Sequence, residues 1–231
     1  MKSLKIILLV STILFLSCKM NKGVITHSKP NLIDVELKKR LEAILIKDQG
    51  IREIVNGNLP QPRKAELLFK MNLNEEDVDD NNKYSLMREI DSINLLQVES
   101  VIEKYGYPSK TLVGEPANKA VFYVIQHSDK IDKYLPLIRK ATENGDIAET
   151  SLALMEDRNL MNKGLEQIYG TQIKGQANKN GEWIFFLWPV KDPDSINVLR
   201  RNAGFEQTIE EYLENMEVEV KFYKLHEIDD L

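Results

Sequence analysis

Cys18 is the only cysteine among 231 residues, so no internal disulfide can form and the core of this chain must be held by packing alone. Its position constrains the chain further. Lys2 and Lys5 precede an apolar run over residues 6–16, Ser17 follows, and Cys18 comes next. This is the layout of a bacterial lipoprotein signal, in which a leader over residues 1–17 is removed and Cys18 becomes the lipid-bearing first residue. The run is shorter than the roughly 20 apolar residues of a membrane-crossing helix, and Lys19 and Lys22 prevent its extension. An ordinary cleaved secretory leader is the nearest alternative, and Phe15 stands where lipoprotein signals usually carry Leu. The expectation is an envelope lipoprotein, anchored to a membrane through lipid on Cys18 and facing the periplasm or the cell exterior.

Removing Lys2 and Lys5 from 31 basic residues, against 36 acidic ones, moves the formal charge from -5 to about -7. An acidic surface argues against nucleic acid as a partner and against electrostatic docking on anionic lipid. Two acyl chains on the Cys18 end suffice for stable attachment. Residues 18–31, polar and carrying Gly23 and Pro30, read as a flexible tether. A mainly helical domain is expected over residues 32–217, with a C-terminal extension over 218–231.

Within that domain, Leu37, Leu41, Ile44, Leu45, Ile51 and Val55 recur at 3.6-residue spacing and predict a long helix over 32–55. A short helix is predicted over 65–71 and a solvent loop over 74–82. A second long helix is predicted over 84–105, capped by Gly106 and stopped by Pro108. Further helices are expected over 118–126, from Ser128 or Asp132 to Gly145, and over 146–161. Residues 167–173 and 183–190 read as two strands. The run Ile184-Phe185-Phe186-Leu187-Trp188 is apolar on both faces, which predicts a hairpin covered by helices. Short helices over 194–202 and 208–216 follow. Alternation of Val218, Val220 and Phe222 suggests a last strand. The fold class is therefore a mainly α single domain, a helical bundle with a small antiparallel β-hairpin packed on it.

Several polar residues occupy apolar stripes. Steps of 100° place Asp48 at the centre of the face formed by Leu37, Leu41, Ile44 and Val55, with Arg52 one turn on. Asp91 and Asn94 lie between Met87, Ile90, Leu95 and Val98, and Arg158 points with Ile147, Leu154 and Met155. A buried ion costs several kcal/mol unless paired and hydrogen-bonded, so these groups are expected to converge. One outcome is a structural network in which Asp48 pairs with Arg52, Arg158 with Asp91, and Asn94 satisfies backbone groups. The other is a pocket for a polar or anionic ligand.

Gln126-His127-Ser128-Asp129 forms a second cluster. His127 with Asp129 suits a general base and its orienting carboxylate. The same residues suit one or two ligands to a metal, completed by Asp48 or Asp91. A satisfied helix-end histidine is the plainer reading, and Ser128 lacks the strand-turn-helix elbow of a nucleophile. A third group, Gln167-Ile168-Tyr169-Gly170-Thr171-Gln172, is rich in neutral donors and acceptors. Tyr169 and Gln172 there suit sugar hydroxyls or peptide amides, while Gly170 permits close approach of a backbone or ligand.

These motifs in this order resemble a family of bacterial proteins catalogued as a domain of unknown function (number 6624). The residues that carry the resemblance are Asp48-Gln49 with Arg52, Asp91, Asn94, the run Tyr105-Gly106-Tyr107-Pro108-Ser109, and Leu112-Val113-Gly114. They continue with Gln126-His127-Ser128-Asp129, Asp157-Arg158, the segment from Gln167 to Gln172, Trp183, Pro189, and Asp192 to Arg200. The resemblance covers about residues 37–216. Tyr107 stands where the family commonly shows Trp before the proline. The family brings no activity with it.

The function expected from the sequence is an envelope lipoprotein whose polar pocket binds a small ligand or protein segment without catalysis. The candidate ligand-binding residues are Asp48, Arg52, Asp91, Asn94, Gln126, His127, Arg158, Tyr169 and Gln172. The alternative is a hydrolase, metal-dependent or general-base, using His127 and Asp129 with Asp48 or Asp91. The residues name no cofactor and no metal site.

Overall fold

A computed structural model describes residues 33–57 and 59–230. The leader, Cys18 and the tether lie outside the described residues. The first apolar stripe becomes α1 (Val35–Val55), started by the Asp34 carboxylate, which accepts from the Leu37 N–H at 2.9 Å. A cap of this kind is worth about 1 kcal/mol. Leu37, Leu41, Ile44, Ile51 and Val55 are buried, and Asp48 is buried among them. α2 (Gln61–Met71) begins earlier than the sequence predicts because Pro62 falls in its first turn, where a missing N–H costs no helical hydrogen bond. The acidic loop holds one 3₁₀ turn, Glu75–Val78, with Val78 turned into the core.

α3 (Lys83–Tyr105) ends at Gly106, as its pattern predicts, and buries Ile90, Asn94, Val98 and Val101. A short α4 (Lys110–Val113), started by the Ser109 hydroxyl, was not expected. α5 (Ala120–Gln126) is buried nearly all round because α1 and α3 both pack on it. α6 (Ile131–Glu143) and α7 (Glu149–Asn162) pack on each other and close the bundle. Ile44, Val98, Val121, Ile125, Ile138 and Met155 meet in its centre. Each such buried aliphatic side chain stabilises by roughly 1.5–3 kcal/mol.

The C-terminal third departs from expectation in three places. β1 (Ile173–Ala177) and β2 (Trp183–Leu187) form an antiparallel hairpin, Ile173 opposite Leu187 and Ala177 opposite Trp183. The segment 167–172 is not a strand: Asp157 takes the backbone N–H groups of Ile168, Tyr169 and Thr171, so no neighbouring strand can use them. Gln167 forms an isolated bridge to Val190, and Gln172 O accepts from the Trp188 N–H. Nor is the hairpin covered on both faces. Alternation turns Phe186 inward but leaves Trp183 66% and Phe185 62% exposed on the other face.

α8 (Ile196–Asn202) and α9 (Ile209–Asn215) are the two expected short helices, the second begun by a Thr208–Glu211 capping box. Alternating residues after them build no strand. Val218 is buried and Val220 is 48% exposed, while Lys221 N–H bonds locally to Glu219 instead of across a ladder. A 3₁₀ turn, Leu225–Asp230, then seats Ile228 against Phe186 and Trp188. The described residues thus form a mainly helical domain carrying a small antiparallel hairpin.

Candidate functional site

Asp48 is fully buried in the middle of α1 and is the hub of the polar residues. Gln49 Nε2 donates to its Oδ2 at 2.6 Å. Arg52 Nη1 donates to its backbone oxygen at 2.7 Å and to Oδ1 at 3.3 Å. His127 caps the C-terminus of α5, which packs on α1, and its Nδ1 lies 3.2 Å from both Asp48 oxygens. Arg52 reaches on to α3, where Nη2 donates to Asp91 Oδ1 and Oδ2 at 2.9 and 3.0 Å. Only such a set of partners makes a buried carboxylate tolerable. The outer members keep some access to solvent, with side chains exposed by 13% at His127, 20% at Arg52 and 25% at Asp91.

The carboxylate places an imidazole N–H at Nδ1, and His127 Nε2 lies 3.2 Å from Gln126 Nε2. That leaves Gln126 Oε1 buried without a partner. Asn94 is fully buried on α3, one turn after Asp91, and neither atom of its amide has a partner. Buried polar groups are nearly always hydrogen-bonded, so Asn94 and Gln126 each leave a polar atom in a costly state.

Arg158 on α7 pairs differently from the expectation. Asp91 is already held by Arg52, and Arg158 Nε donates instead to Gln172 Oε1 at 3.0 Å. Among the described residues Arg158 forms no salt bridge. Burial, and then the nearby charge of Arg52, pull its pKa below the usual guanidinium range. Gln172 is fixed in turn by Leu154 O and Thr171 Oγ1, at 3.3 and 2.9 Å from its Nε2.

Asp48, Arg52, Asp91, Gln126 and His127 are therefore linked directly, with Arg158 and Gln172 beside them. Asn94 does not satisfy backbone groups as one expectation had it. Asp129 is exposed and does not orient His127; that carboxylate is Asp48, 79 residues away in sequence. Tyr169 stands apart. Its side chain lies in a cleft of about 300 Å³ with Glu156 and Arg139, which ion-pair at 2.6 Å. Burial raises both the Tyr169 phenol and the Glu156 carboxyl above their ordinary pKa values.

Sequence reasoning missed the residue that organises this region. Asp157 is fully buried and accepts from the N–H groups of Ile168 at 2.7 Å, Tyr169 at 3.1 Å and Thr171 at 3.0 Å, and from the Thr171 hydroxyl at 3.0 Å. Burial pushes its pKa up, and these donors pull it back. From the other side Arg200 Nη1 donates to Tyr169 O at 2.9 Å and Nε to Gln207 O at 3.0 Å. Its guanidinium lies between Phe205 and Tyr212, 4.8 and 5.2 Å from the ring centres. Gly170 does permit a close approach, by the chain itself: with φ at +68°, a Cβ there would sit 2.7 Å from both Ile196 Cδ1 and Ile209 Cδ1.

Two clefts flank the buried centre. Gln49 lines one of about 370 Å³ and Gln126 one of about 490 Å³, with Tyr123 on both. Among the described residues, no three His, Cys, Asp or Glu side chains gather as a metal-holding group, and no described helix is long and apolar enough to cross a membrane. No curated protein and no solved structure matches the chain. A family model does match, over residues 35–224, and the chain belongs to the family it describes, a family of unknown function (DUF6624).

Proposed function

We propose that this domain is a binding module without catalysis, tethered to a membrane by lipid on Cys18. It takes a small ligand or protein segment at the edge of the Asp48–His127–Arg52–Asp91 centre. The observation that carries the reading is Gln126. Its side chain is buried, its Nε2 is committed to His127, its Oε1 has no partner, and it lines the 490 Å³ cleft. A buried acceptor without a partner costs stability, and a polar group kept at that cost beside a cleft marks a site rather than a packing device. The volume is within the roughly 300–1,000 Å³ of small-molecule sites. A thermal-shift screen of the purified chain against metabolites and short peptides tests this. Stabilisation by some ligand, lost in Gln126→Leu, is expected; a chain that no compound stabilises overturns the reading.

One observation favours a hydrolase instead, the Asp48–His127 contact, which orients an imidazole as a general base does. Two contacts weigh against it. His127 Nε2 is covered by the Gln126 amide, and the Ser128 hydroxyl is held in the turn, donating to Ile125 O at 2.8 Å and accepting from Lys130 N–H at 3.1 Å. Stoichiometric zinc or manganese in the purified protein, lost in His127→Ala, would favour the hydrolase.

A further inference from the structure

We infer that the ligand of the Gln126 cleft is a neutral, hydroxyl-rich molecule of monosaccharide size. This rests on the proposed binding role and names the chemistry of its ligand. The cleft lies between α5, the start of α7 and the turn 204–207. Its walls carry three aromatic residues, Phe122, Tyr123 and Phe205. Between them stand neutral hydrogen-bonding side chains at Gln126, Thr150, Ser151 and Gln207. No lysine or arginine lines it, so an anionic ligand would find no counter-charge there, and its single carboxylate, Glu206, sits on an exposed residue. Aromatic walls with a few hydroxyl and amide groups suit a molecule that is apolar on its C–H face and polar along its edge.

A peptide fits less well. Extended segments bind by adding to a free sheet edge, and this cleft is walled by helices and a turn. A helical segment needs a continuous apolar groove, which the amide and hydroxyl side chains interrupt.

Two features make the cleft preorganised. Its far wall is pinned by Arg200, which donates to Gln207 O, accepts from Phe205 N–H through its carbonyl at 3.0 Å, and stacks on the Phe205 ring. Its near wall ends at Gln126, whose orientation is fixed by His127 and, behind it, Asp48.

Isothermal titration of the full chain in detergent micelles, with glucose, galactose, mannose and N-acetylglucosamine, tests the inference. Triglycine and inorganic phosphate serve as the contrasting probes. Saturable binding of at least one sugar is expected, weakened about tenfold or more in both Gln126→Leu and Phe205→Ala. Circular dichroism confirms that each variant remains folded. Triglycine or phosphate binding that is lost in Gln126→Leu, with no sugar bound, overturns the sugar assignment while leaving the binding role standing. Sugar binding unchanged in both variants also overturns it, because the sugar then sits elsewhere. If no probe binds, the sugar assignment fails, and the broader thermal-shift screen decides the binding role separately.

Discussion

Arg52 and Asp91 are joined through a single nitrogen: Arg52 Nη2 donates to both Asp91 carboxylate oxygens, at 2.9 and 3.0 Å, while Nη1 turns back to Asp48. The two contacts differ in kind. Asp91 is partly solvated, whereas Asp48 is fully buried. Losing Arg52 therefore takes a charged partner from a carboxylate that water cannot reach, and losing Asp91 does not. Arg52→Met is expected to destabilise by roughly 3–5 kcal/mol. Asp91→Asn should cost only about 1 kcal/mol. Urea unfolding of both variants measures the difference, and equal losses would mean that Asp48 draws its stability from His127 and Gln49 alone.

Asp157→Asn replaces an acceptor-only group facing four donors with an amide that presents N–H to some of them. A loss of roughly 2–4 kcal/mol is expected. Thr171→Val removes one donor and leaves the carboxylate three, at about 1 kcal/mol. Hydrogen exchange at the Ile168, Tyr169 and Thr171 amides should accelerate strongly in the first variant. Unchanged protection there would show that packing, not Asp157, holds the segment.

Gly170→Ala meets two isoleucine tips as well as a positive φ, so roughly 2–4 kcal/mol of destabilisation is expected. Gly106 has the same φ of +68°, but a methyl group added there would have nothing within 4 Å. With ψ at -146° as well, Gly106→Ala should cost roughly 1–3 kcal/mol from backbone strain alone. Thermal denaturation of the two alanine variants compares a conformational penalty with a conformational penalty plus overpacking.

Acid sensitivity is expected to trace in part to Glu99. The Tyr134 hydroxyl at 2.7 Å, then Lys130 and Lys133, hold its carboxyl down at about 2, against an ordinary 4.5. A carboxylate whose folded pKa is depressed contributes its full stability above the unfolded value. That contribution drains away as pH falls from about 4.5 towards 2. Glu99→Gln should lower stability at neutral pH and flatten the acid limb across that window, measured by denaturant midpoints at stepped pH. A limb with unchanged slope would assign the sensitivity to other groups.

If lipid on Cys18 is the anchor, Cys18→Ser should move the protein from the membrane fraction to the soluble fraction and abolish incorporation of labelled fatty acid. Retention on the membrane by the serine variant would point to an uncleaved leader acting as the anchor.

The helices were legible because their signal is local. A 3.6-residue repeat of apolar side chains names the buried face of α1 and α3 before any partner is known, and it places Asp48 and Asn94 on those faces. Gly106 and the Thr208–Glu211 pair are also local signals. What each polar group bonds to is not local. Asp129 is two residues from His127 yet faces solvent, while Asp48 reaches it because α5 packs on α1. Likewise, the composition of 167–172 reads as a strand, but a strand is defined by its neighbour, and Asp157 removes the donors that a neighbour would need. The same holds at Val218, Val220 and Phe222, where alternation is present and no partner strand pairs with it among the described residues.

By itself, then, the sequence determined which side chains must leave water, because burial follows from periodicity along one helix. Only the tertiary structure decided how those side chains are satisfied. A carboxylate or imidazole in the interior takes whichever donor or acceptor the packing of separate helices brings within about 3 Å, and no spacing along the chain records that choice.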